Sequence, residues 1–259
     1  MLFLSACAIT PAKDTGTGSG ITPSGFGDLY PGALETTTLH FVIRGYDYSR
    51  IQELSKLTEE AYEKIMTDTG LYSFKPEGQY PITLYKDHEE YLKKTGMPEW
   101  SAGAAAGNAL FIFDNPRMVP TLVHEMTHLI YHEFMQDRLR SFRWLNEGLA
   151  MYEEITFHPN AGETSFLKLS ADTFKSNPLP FQQWMEMIPQ SEEKRMVNLW
   201  YLQSESVVHF LIERGGRLGF SIFLKELKNG KTLDEALSEA FVGKWDSAAS
   251  LERAWKESL

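Results

Sequence analysis

The chain has 259 residues, with 25 Lys and Arg against 35 Asp and Glu, a formal net charge of -10; that balance argues against a nucleic-acid partner, which would call for a basic patch. Hydrophobic residues at 42% and aromatics at 13% suffice for the core of one medium domain or two tightly packed subdomains. The single cysteine, Cys7, rules out an internal disulfide, and with no run of about 18 apolar residues no helix is expected to span a bilayer.

The chain begins MLFLSACAIT. Leu4-Ser5-Ala6-Cys7 resembles the lipobox of bacterial lipoproteins, in which a signal peptide is cut before a cysteine that then carries lipid. The resemblance implies that residues 1–7 are a partial signal, that Cys7 is lipidated, and that the protein is anchored in a bacterial cell envelope. Ala8 rather than Asp after the cysteine implies the outer membrane in a Gram-negative cell. Residues 8–35 hold six Gly and three Pro and have little to bury. They read as a flexible tether with an average span of roughly 30 Å. A frayed apolar start with an incidental cysteine is the plain alternative.

The folded domain is expected over 36–259. TTTLHFVIRG, residues 37–46, is rich in β-branched and aromatic residues and reads as a strand. Residues 49–70 carry Ile51, Leu54, Leu57, Ala61 and Ile65 at helical spacing, with Gly70 as the stop. A second strand is expected at 80–86 and a short helix at 88–95. Residues 101–108 read as a small-residue loop feeding a third strand, Ala109 to Phe113, before a turn at Asn115-Pro116. Helices follow near 120–137, 143–156, 197–214, 217–229, 231–241 and 248–257. A strand-rich front over 36–116 and a helical part over 117–259 give an α+β class with the two kinds of element segregated.

The helix near 120–137 contains HEMTH. Val119, Leu122, Val123, Met126, Ile130 and Phe134 would make its buried stripe. His124 and His128 lie about 40° apart around the axis with a rise of about 6 Å, so both imidazoles can face one ion. Glu125, one step round, can reach a water on that ion but is poorly placed as a ligand. This is the geometry behind the zinc-peptidase reading of H-E-x-x-H. Such a short pattern also arises by chance, so the third ligand decides. His132 continues the series but sits about 12 Å along the axis from His124, too far for zinc–nitrogen bonds of about 2.0–2.1 Å. The metzincin pattern needs Gly and His where this chain has Tyr131 and Phe134. In the next helix, FRWLNEGLAMYEE, Trp144, Leu145, Gly148, Leu149 and Tyr152 form one stripe; Glu147, Ala150, Met151 and Glu154 form another. A carboxylate at Glu147 among small and apolar neighbours is costly without a partner, and a metal would satisfy it. The eighteen residues between His128 and Glu147 are enough to end one helix, turn, and bring an antiparallel one alongside.

HEMTH, eighteen residues and NEGLA together resemble the gluzincin metallopeptidases. They look most like the aminopeptidase branch of that class, and closer still to the small bacterial peptidase MA-like proteins, which also share WLNEGLA, a later Tyr/Ser helix and an ending like LKNGKTLDEALSEAF. The resemblance covers roughly 36–259. It implies a zincin catalytic domain, one Zn2+ held by His124, His128 and Glu147, and Glu125 as general base. A metal-bound water would then hydrolyse the peptide bond, with Glu125 passing its proton to the leaving amine. Gluzincins often stabilise the oxyanion with a Tyr or His from a later helix. Tyr201 is the candidate here, a core tyrosine is the alternative reading of it, and His209 is the lesser choice. Glu154 could orient a ligand histidine from behind; a solvated charge is the plainer reading.

Aminopeptidases of this class hold the substrate amine partly through a G-x-M-E-N segment. The corresponding GAAAGNALFIF, residues 103–113, contains no carboxylate. That departure favours endopeptidase action on a peptide or protein substrate, which could add as a strand along Ala109 to Phe113. The competing reading keeps the zinc and drops proteolysis, leaving an envelope lipoprotein that binds or assembles. The intact Glu125 favours the enzyme. The sequence is silent on oligomeric state, and a monomer is assumed.

Overall fold

A computed structural model describes residues 26–136, 142–157, 177–189 and 192–259. Cys7 and residues 8–25 of the expected tether lie outside the described residues. The chain divides into two compact units: Met1–Glu63 with Lys75–Glu133, and Lys64–Phe74 with Phe134–Leu259.

The first unit is built on a five-stranded mixed sheet in the order β1-β2-β3-β5-β4. β1 (Leu34–Thr37) and β2 (Phe41–Gly45) form an antiparallel hairpin. Sequence reading merged them into one strand, because the β-branched run hides the turn. The turn is closed by the Thr38 N–H donating to the Phe41 carbonyl at 2.9 Å and the Phe41 N–H donating to Thr38 Oγ1 at 3.1 Å. β3 (Tyr80–Tyr85) pairs in parallel with β2 and with β5 (Ala109–Phe113). Residues 103–106, expected as loop, form β4 (Gly103–Ala106), antiparallel to β5. The hairpin turns at Gly107-Asn108, with Gly107 at φ 61°, as a two-residue loop requires. Gly and Ala lack strand propensity, which is why GAAA does not read as a strand.

Two helices belong to this region: α1 (Tyr48–Thr69), whose residues from Lys64 on fall in the second unit, and α2 (His88–Thr95), capped by Asp87 and ended by Gly96 in the left-handed region. Residues 26–35 correct the extent of the tether. Phe26 meets Phe111 edge-on at 4.7 Å, the Gly27 N–H donates to the Lys94 carbonyl at 2.7 Å, and Leu29 is buried with Tyr85, Tyr91 and Phe111. Two apolar side chains among glycines suffice to anchor a segment that composition alone assigns to a linker. α3 (Met118–Met135) also begins in this unit.

The second unit is helical. α4 (Arg143–Phe157) packs most extensively on α6 (Lys194–Gly215); α7 (Arg217–Lys228) packs on α6 and on α8 (Leu233–Ala240), and α9 (Ala248–Ser258) completes the set. Sequence reading passed over α5 (Phe181–Glu186), which is too short to show a period. Its Trp184 nonetheless sits at the centre of the core, 4.8 Å from the Trp144 ring, with Trp200 Nε1–H donating to its carbonyl at 2.9 Å. α1 ends at Gly70, where φ is 64° and an added Cβ would stand 2.8 Å from the Arg217 carbonyl oxygen. Among the described residues no helix is long and apolar enough to cross a membrane. The small mixed sheet with a mostly helical remainder is the expected α+β class.

Candidate functional site

α3 starts just after Asn115, whose side-chain oxygen accepts from the Arg117 N–H at 2.8 Å. The sequence suggests a one-sided apolar stripe; the structure buries every residue from Thr121 to Tyr131. A helix buried all round belongs to a core, so its polar residues there need internal partners. His124 is 2% exposed, Glu125 1% and His128 0%. The two imidazoles turn the same nitrogen toward each other, with Nε2 to Nε2 at 3.2 Å. Two histidines on one tetrahedral ion, each at about 2.0–2.1 Å, would hold their nitrogens about 3.3 Å apart. That is the spacing one ion would give, and it is also the distance of a hydrogen bond between the two rings.

His132 stands apart, its ring 5.8 Å from that of His128. Burial, then the neighbouring His128, pushes its pKa down to about 3.

Glu125 is held from the sheet. Its Oε2 accepts from the Ala105 N–H of β4 at 3.1 Å. The approach depends on Gly103, where an added Cβ would stand 2.7 Å from Thr121 Cγ2 on α3. The same topology corrects the expected docking strand. β5 is hydrogen-bonded on both sides, by β3 and β4, and the sheet ends at β4.

In the second unit, Glu147 is 4% exposed within a stretch of α4, Trp144 to Glu153, that is buried throughout. Its neighbour Gly148 is where α4 and α6 touch: an added Cβ would stand 2.3 Å from the Ser204 carbonyl oxygen and 2.8 Å from Val208 Cγ2. One turn further on, the Tyr152 ring meets that of His209 at 5.3 Å. Contacts rise together along both helices, so α4 and α6 run in the same direction. At about 100° per residue, the residue before Gly148 and the residue after Ser204 then turn to the same side of the pair. These are Glu147 and Glu205. Tyr201, three residues before Ser204, falls on that side too. It is 4% exposed and meets Trp200 edge-on at 5.1 Å.

Sequence reading missed Glu205, which is fully buried and has its Oε1 3.3 Å from His209 Nδ1. The available signal was the i, i+4, i+8 series Tyr201, Glu205, His209 along one face of α6. Glu154 is half-buried on α4.

His124, His128 and Glu147 make a buried His–His–Glu group that could hold a metal ion. Two neutral imidazoles and one carboxylate are the donor set of several catalytic zinc sites, which keep a fourth position for water or substrate. The family model described as the Peptidase MA superfamily matches residues 58–259. No curated protein matches the chain.

Proposed function

Since the chain belongs to the Peptidase MA superfamily, we propose that it is a zinc-dependent peptidase, with His124, His128 and Glu147 as metal ligands and Glu125 as general base. Membership itself carries the coarser statement, a metallopeptidase-like hydrolase. The observation that supports the finer one best is the 3.2 Å spacing of His124 Nε2 and His128 Nε2. When bound, zinc supplies a Lewis acid for the scissile carbonyl and lowers the pKa of a coordinated water toward 7.

The chain's own residues do the rest. Glu125, tied through one oxygen to the Ala105 N–H, holds its carboxylate still while it takes the proton of the attacking water. It then delivers that proton to the leaving amine. Tyr201 lies on the Glu147 side of the α4–α6 pair and donates a hydrogen bond from its hydroxyl to the developing oxyanion. An extended substrate adds to the sheet at β4, its last strand, and so runs past Glu125. Residues 103–106 are GAAA, with no carboxylate to hold a terminal amine, which favours endopeptidase action. A lipid on Cys7 would anchor the enzyme in the cell envelope; mass spectrometry of membrane-extracted protein would reveal an unmodified Met1–Cys7 peptide if it does not.

Metal analysis beside a peptide-library cleavage assay tests the mechanism. About one zinc is expected in both the wild type and Glu125→Gln, with cleavage only in the wild type. Equal activity in both would sink the role of Glu125. Loss of zinc in His132→Ala but not in Glu147→Ala would sink the ligand set.

A further inference from the structure

We infer that Ser101 and Tyr91 are positioning residues that hold Glu125 through β4, which rests on the reading of Glu125 as general base. β4 is the last strand of the sheet and pairs on one side, with β5. It lies along α3. Gly103 closely approaches Thr121, and two residues on, the Ala105 N–H meets Glu125 Oε2 at 3.1 Å. The two elements keep step there, since two strand residues rise about 6.8 Å and four helical residues about 6 Å. A slip of one residue, about 3.4 Å, would carry the amide off the carboxylate. Yet GAAA offers the sheet four small side chains that are nearly alike, and such a strand specifies its own register weakly. Its ends must set it. At one end stands the turn at Gly107-Asn108; at the other stands Ser101.

Ser101 is buried, and its Oγ donates to the Gly103 carbonyl oxygen at 3.0 Å. The same Oγ lies 2.6 Å from the Tyr91 hydroxyl oxygen. A serine hydroxyl has one proton, and Gly103 takes it, so Tyr91 must be the donor in that second bond. The Ser101 carbonyl lies 3.2 Å from His88 Nε2; a carbonyl only accepts, so the His88 proton is on Nε2. Tyr91 and His88 are three residues apart on one face of α2. The Tyr91 ring is itself fixed in the core, 5.9 Å from that of Tyr85 on β3 and 5.3 Å from that of Phe113 on β5. The hold therefore starts in packed aromatic core, passes through two hydroxyls to the Gly103 carbonyl, and ends at the Ala105 amide under Glu125. All of it lies within the first unit.

Ser101→Ala and Tyr91→Phe each remove one oxygen and leave the apolar contacts. The full chain is to be tested well below its Tm by peptide-cleavage kinetics, zinc content and amide hydrogen exchange read by NMR. Zinc content should match the wild type. A fall in kcat of about tenfold is expected, inside the roughly 10²-fold that a 1 Å misplacement can cost, with a smaller change in KM. Exchange of the Ala104, Ala105 and Ala106 amides should quicken by about five- to tenfold, while the amides of α6 keep their wild-type rates. Both hydroxyls act on one route, so the double variant should lose little more than the worse single one. An unchanged kcat overturns the inference, as does a loss confined to KM, which would give Ser101 to substrate docking. A lower kcat with unchanged exchange at 104–106, or with faster exchange throughout the chain, marks a purely structural role and overturns it too. Should Ser101→Ala fold poorly, Tyr91→Phe decides by the same readings. A wild type that cleaves no peptide overturns the reading of Glu125 and this one with it; a wild type that cleaves confines any failure to Ser101 and Tyr91.

Discussion

The two ends of α4 treat a buried glutamate in opposite ways. At the far end, Glu153 is fully buried and the protein supplies its cation: Lys64 Nζ lies 2.7 Å from Glu153 Oε2, 2.7 Å from Asp68 Oδ2 and 2.7 Å from Thr156 Oγ1. Arg217 closes the cluster, its Nε and NH2 donating to Asp68 Oδ1 at 3.0 and 2.7 Å. Near the start, Glu147 belongs with two histidines instead, in a group fit for a metal. One carboxylate has a permanent partner encoded in the chain, and the other belongs to a group that could take up a metal. A permanent partner suits architecture, because nothing can remove it. An acquired one suits chemistry, because it can also bind something else.

The sharpest break of that contrast is catalytic. Glu125→Gln is expected to cut kcat by about 10²–10⁴-fold with zinc retained, read by peptide cleavage alongside metal analysis. Glu147→Ala should lose both zinc and activity. At the permanent end the readout is stability alone. Lys64→Met strands Glu153 and should cost about 3–5 kcal/mol in denaturant unfolding, while zinc affinity in the fraction that folds is largely kept. Gly148→Ala joins the two ends, since its methyl group would press into the Ser204 backbone at 2.3 Å. A loss of about 1–3 kcal/mol together with weakened zinc binding is expected there, whereas an unchanged zinc affinity would show that the α4–α6 spacing does not govern the site.

The most gradual effect is a pH dependence. Burial pushes the Glu153 carboxyl up to about 7, against the opposing pull of Lys64, from an ordinary value of 4.5. The folded protein therefore binds more protons than the unfolded chain between those values. Stability from this group is fully present below pH 4.5 and is lost as pH rises through about 7. At about 1.4 kcal/mol per pKa unit, the whole swing is on the order of 3 kcal/mol. Glu153→Gln should flatten that part of the stability–pH curve, measured by urea unfolding from pH 4.5 to 8 of metal-free protein.

The readable parts of the sequence were those where a period or a cap repeats a physical rule. α1 stops before Gly70 as its stop residue dictates, and the HEMTH histidines face each other because four residues make roughly one turn. β4 was illegible because Ala and Gly say nothing about strand, although the Gly-Asn turn beside it was a hairpin signal. The merged β1 and β2 show the reverse failure, a propensity so uniform that it hides the turn. Glu205 and Glu153 were missed for a third reason. Which charged residues become buried is decided by helix packing across long stretches of chain, and a helical wheel with apolar residues on most sides does not reveal it. The anchoring of Phe26 against Phe111 likewise depends on a partner far along the sequence.

The grip on Glu125 comes from a main-chain amide, that of Ala105. Every residue except proline carries that amide, so replacing the Ala105 side chain with any other compact one should leave the contact standing. A mutational scan that reads importance from side-chain loss would pass over position 105 in silence, while Ala105→Pro, which deletes the donor itself, should be the replacement there that loosens Glu125.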